Sequence, residues 1–79
     1  MHPFPLTIAA VDKIFFQGEV VSVTCPGRDG EVTILRHHVP FVTPLKPGTI
    51  LIKTTEGEQE IPVSQGILEV HKEGVTILL

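Results

Sequence analysis

The sequence of 79 residues is long enough for one compact domain and too short for two separate cores. Its 42% hydrophobic and 19% charged content excludes a disordered chain, and it contains no apolar run of the roughly 18 residues that a spanning helix needs. Six Lys and Arg against nine Asp and Glu give a net charge of −3 without a basic stripe, which argues against nucleic acid as a partner. The single cysteine, Cys25, excludes an internal disulfide and a cysteine-based zinc site.

The first half of the chain predicts short strands separated by turns. Leu6 to Val11 favours a first strand, and Ile14 to Phe16 the start of a second. Gly18 predicts a bulge or bend before a strand from Glu19 to Cys25, in which apolar and polar residues alternate. Pro26 to Gly30 predicts a turn, because the proline fixes one φ angle and the glycines are free to take positive φ.

The second half continues this pattern with one interruption. Glu31 to Leu35 predicts a strand, whereas Arg36 to Pro47 holds three prolines and predicts an extended connection that cannot be a central strand. Further strands are predicted at Thr49 to Thr54, Gln59 to Val63, Ile67 to His71 and Val75 to Leu79. The last two form a hairpin around Lys72 to Gly74, in which we expect Gly74 to take the left-handed conformation. No segment keeps a helical period, so the sequence predicts an all-β fold, an antiparallel β-sandwich or flattened barrel of two sheets.

Several apolar residues fall on the face of a strand that alternation assigns to solvent. Phe15 and Phe16 are neighbours and must point to opposite sides of their strand, and Leu51 and Leu78 oppose the buried series of theirs. One face of a small sandwich is normally wet. The outward apolar residues therefore suggest a surface that contacts a partner, although scattered exposed apolar residues are also ordinary on protein surfaces.

The residues that could perform chemistry are few. His37 and His38 are adjacent, so in an extended segment they point in opposite directions and cannot hold one metal together. Cys25 continues an inward series and is interpreted as a small buried hydrophobe instead of a nucleophile. The glycines make no phosphate-binding loop. The sequence therefore predicts no catalytic residues, no metal and no cofactor.

A carrier domain is one alternative. Asp12-Lys13-Ile14 is similar to the modified lysine of the lipoyl and biotinyl carrier domains, which are also all-β and of about this size. In those domains the lysine lies midway between two similar halves. Only twelve residues precede Lys13, so the first half is absent and the sequence argues against this alternative.

The order of four motifs resembles a known family over about residues 5 to 79. The motifs are Phe16-Gln17-Gly18-Glu19-Val20, Pro26-Gly27-Arg28-Asp29-Gly30-Glu31, His38-Val39-Pro40-Phe41-Val42-Thr43-Pro44-Leu45-Lys46-Pro47-Gly48 and Ser64-Gln65-Gly66-Ile67-Leu68-Glu69-Val70. Together they look like the N-terminal β-sandwich domain of the ε subunit of F-type ATP synthases, the δ subunit of mitochondria. The resemblance implies a sandwich of two five-stranded antiparallel sheets, about ten short strands in all.

The resemblance also implies a role and a set of contacts. In the family this domain lies at the foot of the central stalk, binds the γ subunit and rests on the polar loops of the c ring. It transmits rotation without catalysis, as one copy in each enzyme. The implied c-ring contacts are Glu31, His38, Arg28 and Asp29. The implied γ contacts are Ala10, Pro40, Phe41, Val42 and Thr43. A generic β-sandwich interaction module of another assembly is the alternative function.

The sequence departs from the family at two positions and in extent. His37 stands where the family usually has glycine, and Gln65 replaces the first of two glycines. Typical members continue into two antiparallel helices that inhibit hydrolysis or bind ATP. This sequence stops at Leu79, so we expect a single domain at residues 1–79, as a natural short form or a shortened chain. We expect that it neither inhibits ATP hydrolysis nor senses ATP. The resemblance implies a peripheral location at the cytoplasmic face of the bacterial inner membrane, or the equivalent organelle face, without membrane insertion.

Overall fold

A computed structural model of the chain describes residues 2–36 and 38–79, so the expectation for His37 lies outside the described residues. Within those ranges the chain forms nine strands and no helix. The strands are β1 (Phe4–Ala10), β2 (Lys13–Val20), β3 (Ser22–Gly27), β4 (Gly30–Ile34), β5 (Phe41–Leu45), β6 (Gly48–Thr54), β7 (Gly57–Val63), β8 (Gly66–Val70) and β9 (Val75–Leu78). The predicted all-β fold is confirmed.

The strands are joined into one curled, mixed sheet. Their hydrogen-bonded order is β2-β1-β9-β8-β5-β3-β6-β7, and β4 pairs with β3 beside this path. The pairing of β1 with β9 is parallel, from Leu6↔Val75 to Ala9↔Leu78, whereas a purely antiparallel fold of two sheets was expected. A parallel pair needs a long crossover between its strands, and here the other seven strands supply it. The turn signals near each predicted strand carry no information about this pairing.

The core lies inside the curl and receives side chains from all nine strands. Alternation along each strand sends one set of apolar residues inward, as β3 illustrates with Val23 and Cys25 fully buried between half-buried neighbours. The buried core consists of Phe4, Leu6, Ile8, Val20, Val23, Cys25, Ile34, Leu45, Ile50, Ile52, Ile61, Val63, Leu68, Val70, Val75 and Ile77. The described chain buries no polar or charged residue, so burial of apolar area provides the main stabilisation.

The expectation that Arg36 to Pro47 cannot contain a central strand is wrong. β5 lies within that segment, between β8 and β3, and pairs with β8 over all five of its residues. The carbonyl of Pro44 accepts a hydrogen bond of 3.0 Å from the backbone N–H of Arg28, so the proline nitrogen also faces the β3 side. On that side the ladder to β3 is the single pair Gly27↔Leu45. The missing N–H of Pro44 therefore removes no bond to β8.

The predicted break at Gly18 is also wrong. β2 runs without interruption from Lys13 to Val20, and the chain breaks at Val21 before β3 begins. The irregularity falls instead between Ile8 and Ala9 of β1, where the register shifts.

 Ile8 pairs with Phe16 and Ala9 with Ile14, so Phe15 is the extra residue of a β-bulge. A glycine in a strand does not by itself locate a bulge, because the register is set by pairing with the neighbouring strand.

Gly74 does not take the left-handed conformation that the sequence suggested. The positive φ angles among the described glycines belong to Gly30 (139°) and Gly57 (147°), each at the start of a strand that follows a turn. Gly74 is needed for close approach instead, because a Cβ atom there would lie 2.7 Å from the carbonyl oxygen of Pro5. The β8–β9 hairpin therefore packs directly on the first residues of β1.

Candidate functional site: two docking surfaces

Five neighbouring strands carry a row of apolar side chains on the outside of the sheet. We call it the outer row, and it consists of Ile14 (β2), Ala9 (β1), Leu78 (β9), Ile67 (β8) and Pro44 (β5). Each member is paired in register with the next, so the row is continuous over four strand spacings, or roughly 19 Å. Ile14 is 59% exposed, and Leu78 and Ile67 are close to half exposed. The sheet thus presents an apolar stripe to its surroundings.

The apolar residues predicted to point outward divide into two groups. Phe15 and Leu78 are exposed, and Phe16 packs against the core from the opposite side of β2, as alternation requires. Leu51 is half-buried and does not join the outer row. Val11, in the turn between β1 and β2, is fully exposed. The sequence does not identify Ile67 and Ile14 as members of the row, because their membership depends on the register between paired strands.

The second surface lies at the turn between β3 and β4. Gly27 pairs with Gly30, which leaves Arg28 and Asp29 as the two residues of the turn, both exposed. The positive φ of Gly30 allows the chain to reverse there. Glu31 follows at the start of β4 and is exposed. The hairpin therefore displays two carboxylates and one guanidinium at its tip.

A shallow cavity of about 280 Å³ connects this turn with β5. We call its surroundings the acidic end, which is lined by Gly27, Asp29, Gly30, Glu31, Val32, Phe41 and Thr43. Phe41 and Thr43 were implied as γ contacts, whereas Asp29 and Glu31 were implied as c-ring contacts. The fold therefore brings members of both predicted sets to one cavity.

His38 lies next to this acidic end. Its ring lies 5.5 Å from that of Phe41, centroid to centroid, at an interplanar angle of 45°. His38 is half-buried, whereas Val39 and Pro40 after it are exposed. Phe41 thus connects His38 with the cavity that Asp29 and Glu31 line.

Ala10 lies apart from the other predicted γ contacts. It ends β1, which is three strand spacings from β5, roughly 14 Å along the sheet. The part of the outer row from Ala9 to Pro44 runs between these two strands. Val42 points outward next to Pro44 on β5 and is 67% exposed. A partner lying on the row would thus meet Val42, whereas Ala10 points to the face opposite Ala9.

The residues considered for chemistry have ordinary structural surroundings. Cys25 is fully buried, as predicted, and burial raises the pKa of its thiol to about 12, which keeps it protonated and unreactive at neutral pH. Lys13 lies with its Nζ atom 4.9 Å from the centroid of the Phe15 ring. No group of three potential metal-binding side chains occurs among residues 2–36 and 38–79. In the same residues no helix has the length and apolar character to cross a membrane.

Comparison with known families agrees with this architecture. Residues 3–79 match the model of the family described as ATP synthase, Delta/Epsilon chain, beta-sandwich domain. The chain belongs to this family. The match includes all nine strands, the outer row and the acidic end.

Curated relatives are called ATP synthase epsilon chain. That of Dichelobacter nodosus is 39% identical over 77 residues, which cover 96% of this chain and 54% of the relative. That of Bradyrhizobium sp. strain ORS 278 is 38% identical over 78 residues, with 99% and 58% covered. The chain thus spans little more than half the length of these relatives.

Solved structures of ATP synthases contain chains with the same fold. One from the mitochondrial enzyme of Euglena gracilis, a complex of OSCP, F1 and c ring, has a TM-score of 0.88 and 25% identity and covers 96% of this chain and 49% of that one. One from the central stalk and c ring of the Tetrahymena thermophila enzyme has a TM-score of 0.81 at 15% identity and covers 95% and 61%. The second likeness concerns the fold alone.

Proposed function

We propose that this chain is a non-catalytic rotor component of an F-type ATP synthase, which links the γ subunit to the c ring. The observation that carries the proposal is the family match over residues 3–79. It is supported by the relatives called ATP synthase epsilon chain and by the Euglena complex, which contains F1 and the c ring. In this role the chain transmits torque and performs no catalysis. It lies peripherally at the cytoplasmic face of the bacterial inner membrane or the equivalent organelle face.

The outer row is the surface that we assign to γ. When a partner covers exposed apolar side chains of this size, the complex is stabilised by about 25 cal/mol for each Å² of apolar surface removed from water. Of the implied γ contacts, Val42 lies on the same face as the row, because it is two residues from Pro44 on β5. A rotor component must grip its partner firmly, and a contact through apolar side chains is not weakened by salt.

The acidic end is the surface that we assign to the polar loops of the c ring. Asp29 and Glu31 line a cavity whose volume of about 280 Å³ accommodates one long basic side chain. The ring of Phe41 lies in the same cavity and adds a face on which a cation can rest. Exposed charges of this kind orient a partner more than they add affinity. Arg28 at the tip and His38 beside Phe41 complete this surface.

A binding experiment with purified γ tests the first assignment. We expect the double variant Ile67→Ser, Leu78→Ser to bind γ at least about tenfold more weakly, since two half-exposed apolar side chains leave the contact. Gln59→Ser on the exposed face of β7 is the matched control and should bind like the unchanged chain. Circular dichroism of each variant checks the fold. Unchanged affinity of the folded double variant would remove the outer row from the γ interface.

Binding to isolated c rings in detergent tests the second assignment. We expect Glu31→Gln to weaken this binding several-fold at low salt and to leave γ binding unchanged, because the charge is exposed and screened. Raising the salt concentration should weaken c-ring binding of the unchanged chain and reduce the difference from the variant. A chain that binds neither γ nor c rings would instead be an interaction module of another assembly. Unfolding of the Glu31→Gln variant would contradict the placement of Glu31 at an interface.

A further inference from the structure

The outer row lies at one end of its five strands. Leu78 is the last residue of β9, and each of the other four members is one residue from the end of its strand. The row is roughly 19 Å long and one residue wide, whereas a stable interface buries about 800 Å² on each partner. A partner that binds here must therefore cover more of the sheet, and the outer face of these strands extends from the row in one direction only.

A second row of side chains follows on the same face, roughly 7 Å further along the strands. We call it the middle row, and it consists of Gln17 (β2), Thr7 (β1), Thr76 (β9), Glu69 (β8) and Val42 (β5). Each member is paired in register with the next, as in the outer row. A partner that covers the outer row and has the area of a stable interface therefore covers the middle row as well.

Glu69 is the charged member of the middle row. Strands β1, β5, β8 and β9 contain no other charged residue. The Glu69 side chain is 32% exposed, so the sheet already removes much of it from water. His71 lies beside it, with Nε2 at 3.5 Å from the Glu69 Oε1 atom, and its ring is charged only when it is protonated. This contact is longer than the about 2.7–3.2 Å of an ordinary hydrogen bond, so the carboxylate keeps acceptor sites for a partner.

Covering Glu69 requires a group of opposite charge on the partner. Charged side chains are almost never fully buried unless they are paired. Taking the rest of this carboxylate out of water without a pair would cost free energy that the apolar contacts of the outer row would have to offset. An arginine matches the site best, because its guanidinium makes two parallel N–H bonds to a carboxylate and has further donors. The hydroxyl of Thr76, directly opposite Glu69 on β9, is an acceptor for one of them.

We propose that Glu69 binds an arginine of the γ subunit and thereby fixes the orientation of γ on the sheet. This inference rests on the proposed function, because the partner is the one assigned to the outer row. Apolar contacts are not directional, so the outer row by itself does not define how a partner is turned. A two-pronged charge pair does define it, and it rejects a partner that presents an apolar or acidic group at this position. Glu69 is therefore a specificity-determining residue of the γ surface.

Binding and dissociation kinetics with purified γ test the proposal. We expect Glu69→Gln to weaken binding roughly thirtyfold or more, mainly through faster dissociation, because the arginine of γ stays covered and loses its charge partner. Glu69→Leu should weaken binding at least as much, although it enlarges the apolar area of the sheet. Glu60→Gln, an exposed carboxylate on β7 outside both rows, is the matched control and should bind γ like the unchanged chain. Circular dichroism of each variant checks the fold.

Two outcomes would overturn this inference alone. One is tighter binding of the Glu69→Leu variant, which would mean that an apolar surface of γ covers this position. The other is an affinity of Glu69→Gln within about threefold of the Glu60→Gln control, which would mean that γ places no charge there. In both cases the unchanged chain still binds γ, so the proposed function stands. Failure of the unchanged chain to bind γ would overturn the proposed function and this inference together.

Discussion

The two faces of strands β8 and β9 are both apolar and differ in burial. Ile67 is 44% exposed and its neighbour Leu68 is fully buried; Leu78 is 45% exposed and Ile77 is fully buried. The inner residues belong to the core, and the outer residues belong to the row that we assign to γ. Two residues of the same chemistry, adjacent in the chain, thus lie in the core in one case and remain exposed to solvent in the other. Hydrophobicity alone does not separate these functions.

Truncation of one side chain on each face should show the difference between the two faces most clearly. We expect Leu68→Ala to lower the free energy of unfolding by about 2–5 kcal/mol, since the fully buried side chain leaves a cavity in the core. Ile67→Ala should change it by no more than about 0.5 kcal/mol, because the side chain is already half in water. Urea unfolding followed by circular dichroism measures both. Equal losses would mean that the outer row contributes to the fold in the isolated chain.

The close contact between the two strands offers a second, smaller test. A Cβ atom at Gly66 would lie 2.7 Å from the backbone oxygen of Leu78, so Gly66→Ala must push β8 and β9 apart at the outer row. We expect a loss of about 1–3 kcal/mol in the free energy of unfolding. At Gly18 the nearest atom to such a Cβ is a side-chain carbon of Phe16 at 3.7 Å, an ordinary contact. Gly18→Ala should therefore be neutral within about 1 kcal/mol. A neutral Gly66→Ala would show that the row tolerates displacement of its strands.

The pH dependence of stability tests whether the inner face excludes water. Burial raises the pKa of Cys25 to about 12, above the ordinary thiol value of roughly 8.5 in the unfolded chain. The Cys25 thiol thus stays protonated in the folded state at pH values where it loses its proton in the unfolded state. The contribution of the protonated thiol to stability is complete below about pH 8.5 and is lost as the pH rises towards 12. Between pH 8 and 9.5 we expect the unchanged chain to lose about 1 kcal/mol more than Cys25→Ala, by urea unfolding at each pH. Parallel pH profiles of the two proteins would mean that water reaches the thiol.

The local patterns predicted much of the fold because they act over a few residues. Alternation around Val23 and Cys25 was sufficient to place both side chains in the core. Pro44 was misleading because the rule against proline in a central strand assumes that both sides of the strand are paired throughout, and β5 meets β3 at a single pair. The parallel pairing of β1 with β9 could not be predicted, since it joins segments from opposite ends of the chain.

The resemblance predicted individual residues of the candidate site but not how they group into surfaces. The resemblance indicated Glu31, His38 and Phe41, but not that Phe41 lies between the other two. It indicated Ala10 but not the outer row, which includes the neighbouring Ala9. Both groupings depend on register between strands that are distant in sequence, and no local pattern encodes that register.

The parallel pairing of β1 with β9 has a consequence for the order in which the sheet can form. Leu6 pairs with Val75 on one side, so β1 precedes one of its two neighbours by the length of seven other strands. Until β9 has been made, one edge of β1 remains open to other extended chains, which is a risk for aggregation. Contacts of such wide sequence separation also slow folding. The edge of β1 is therefore protected only once β9 has paired with it.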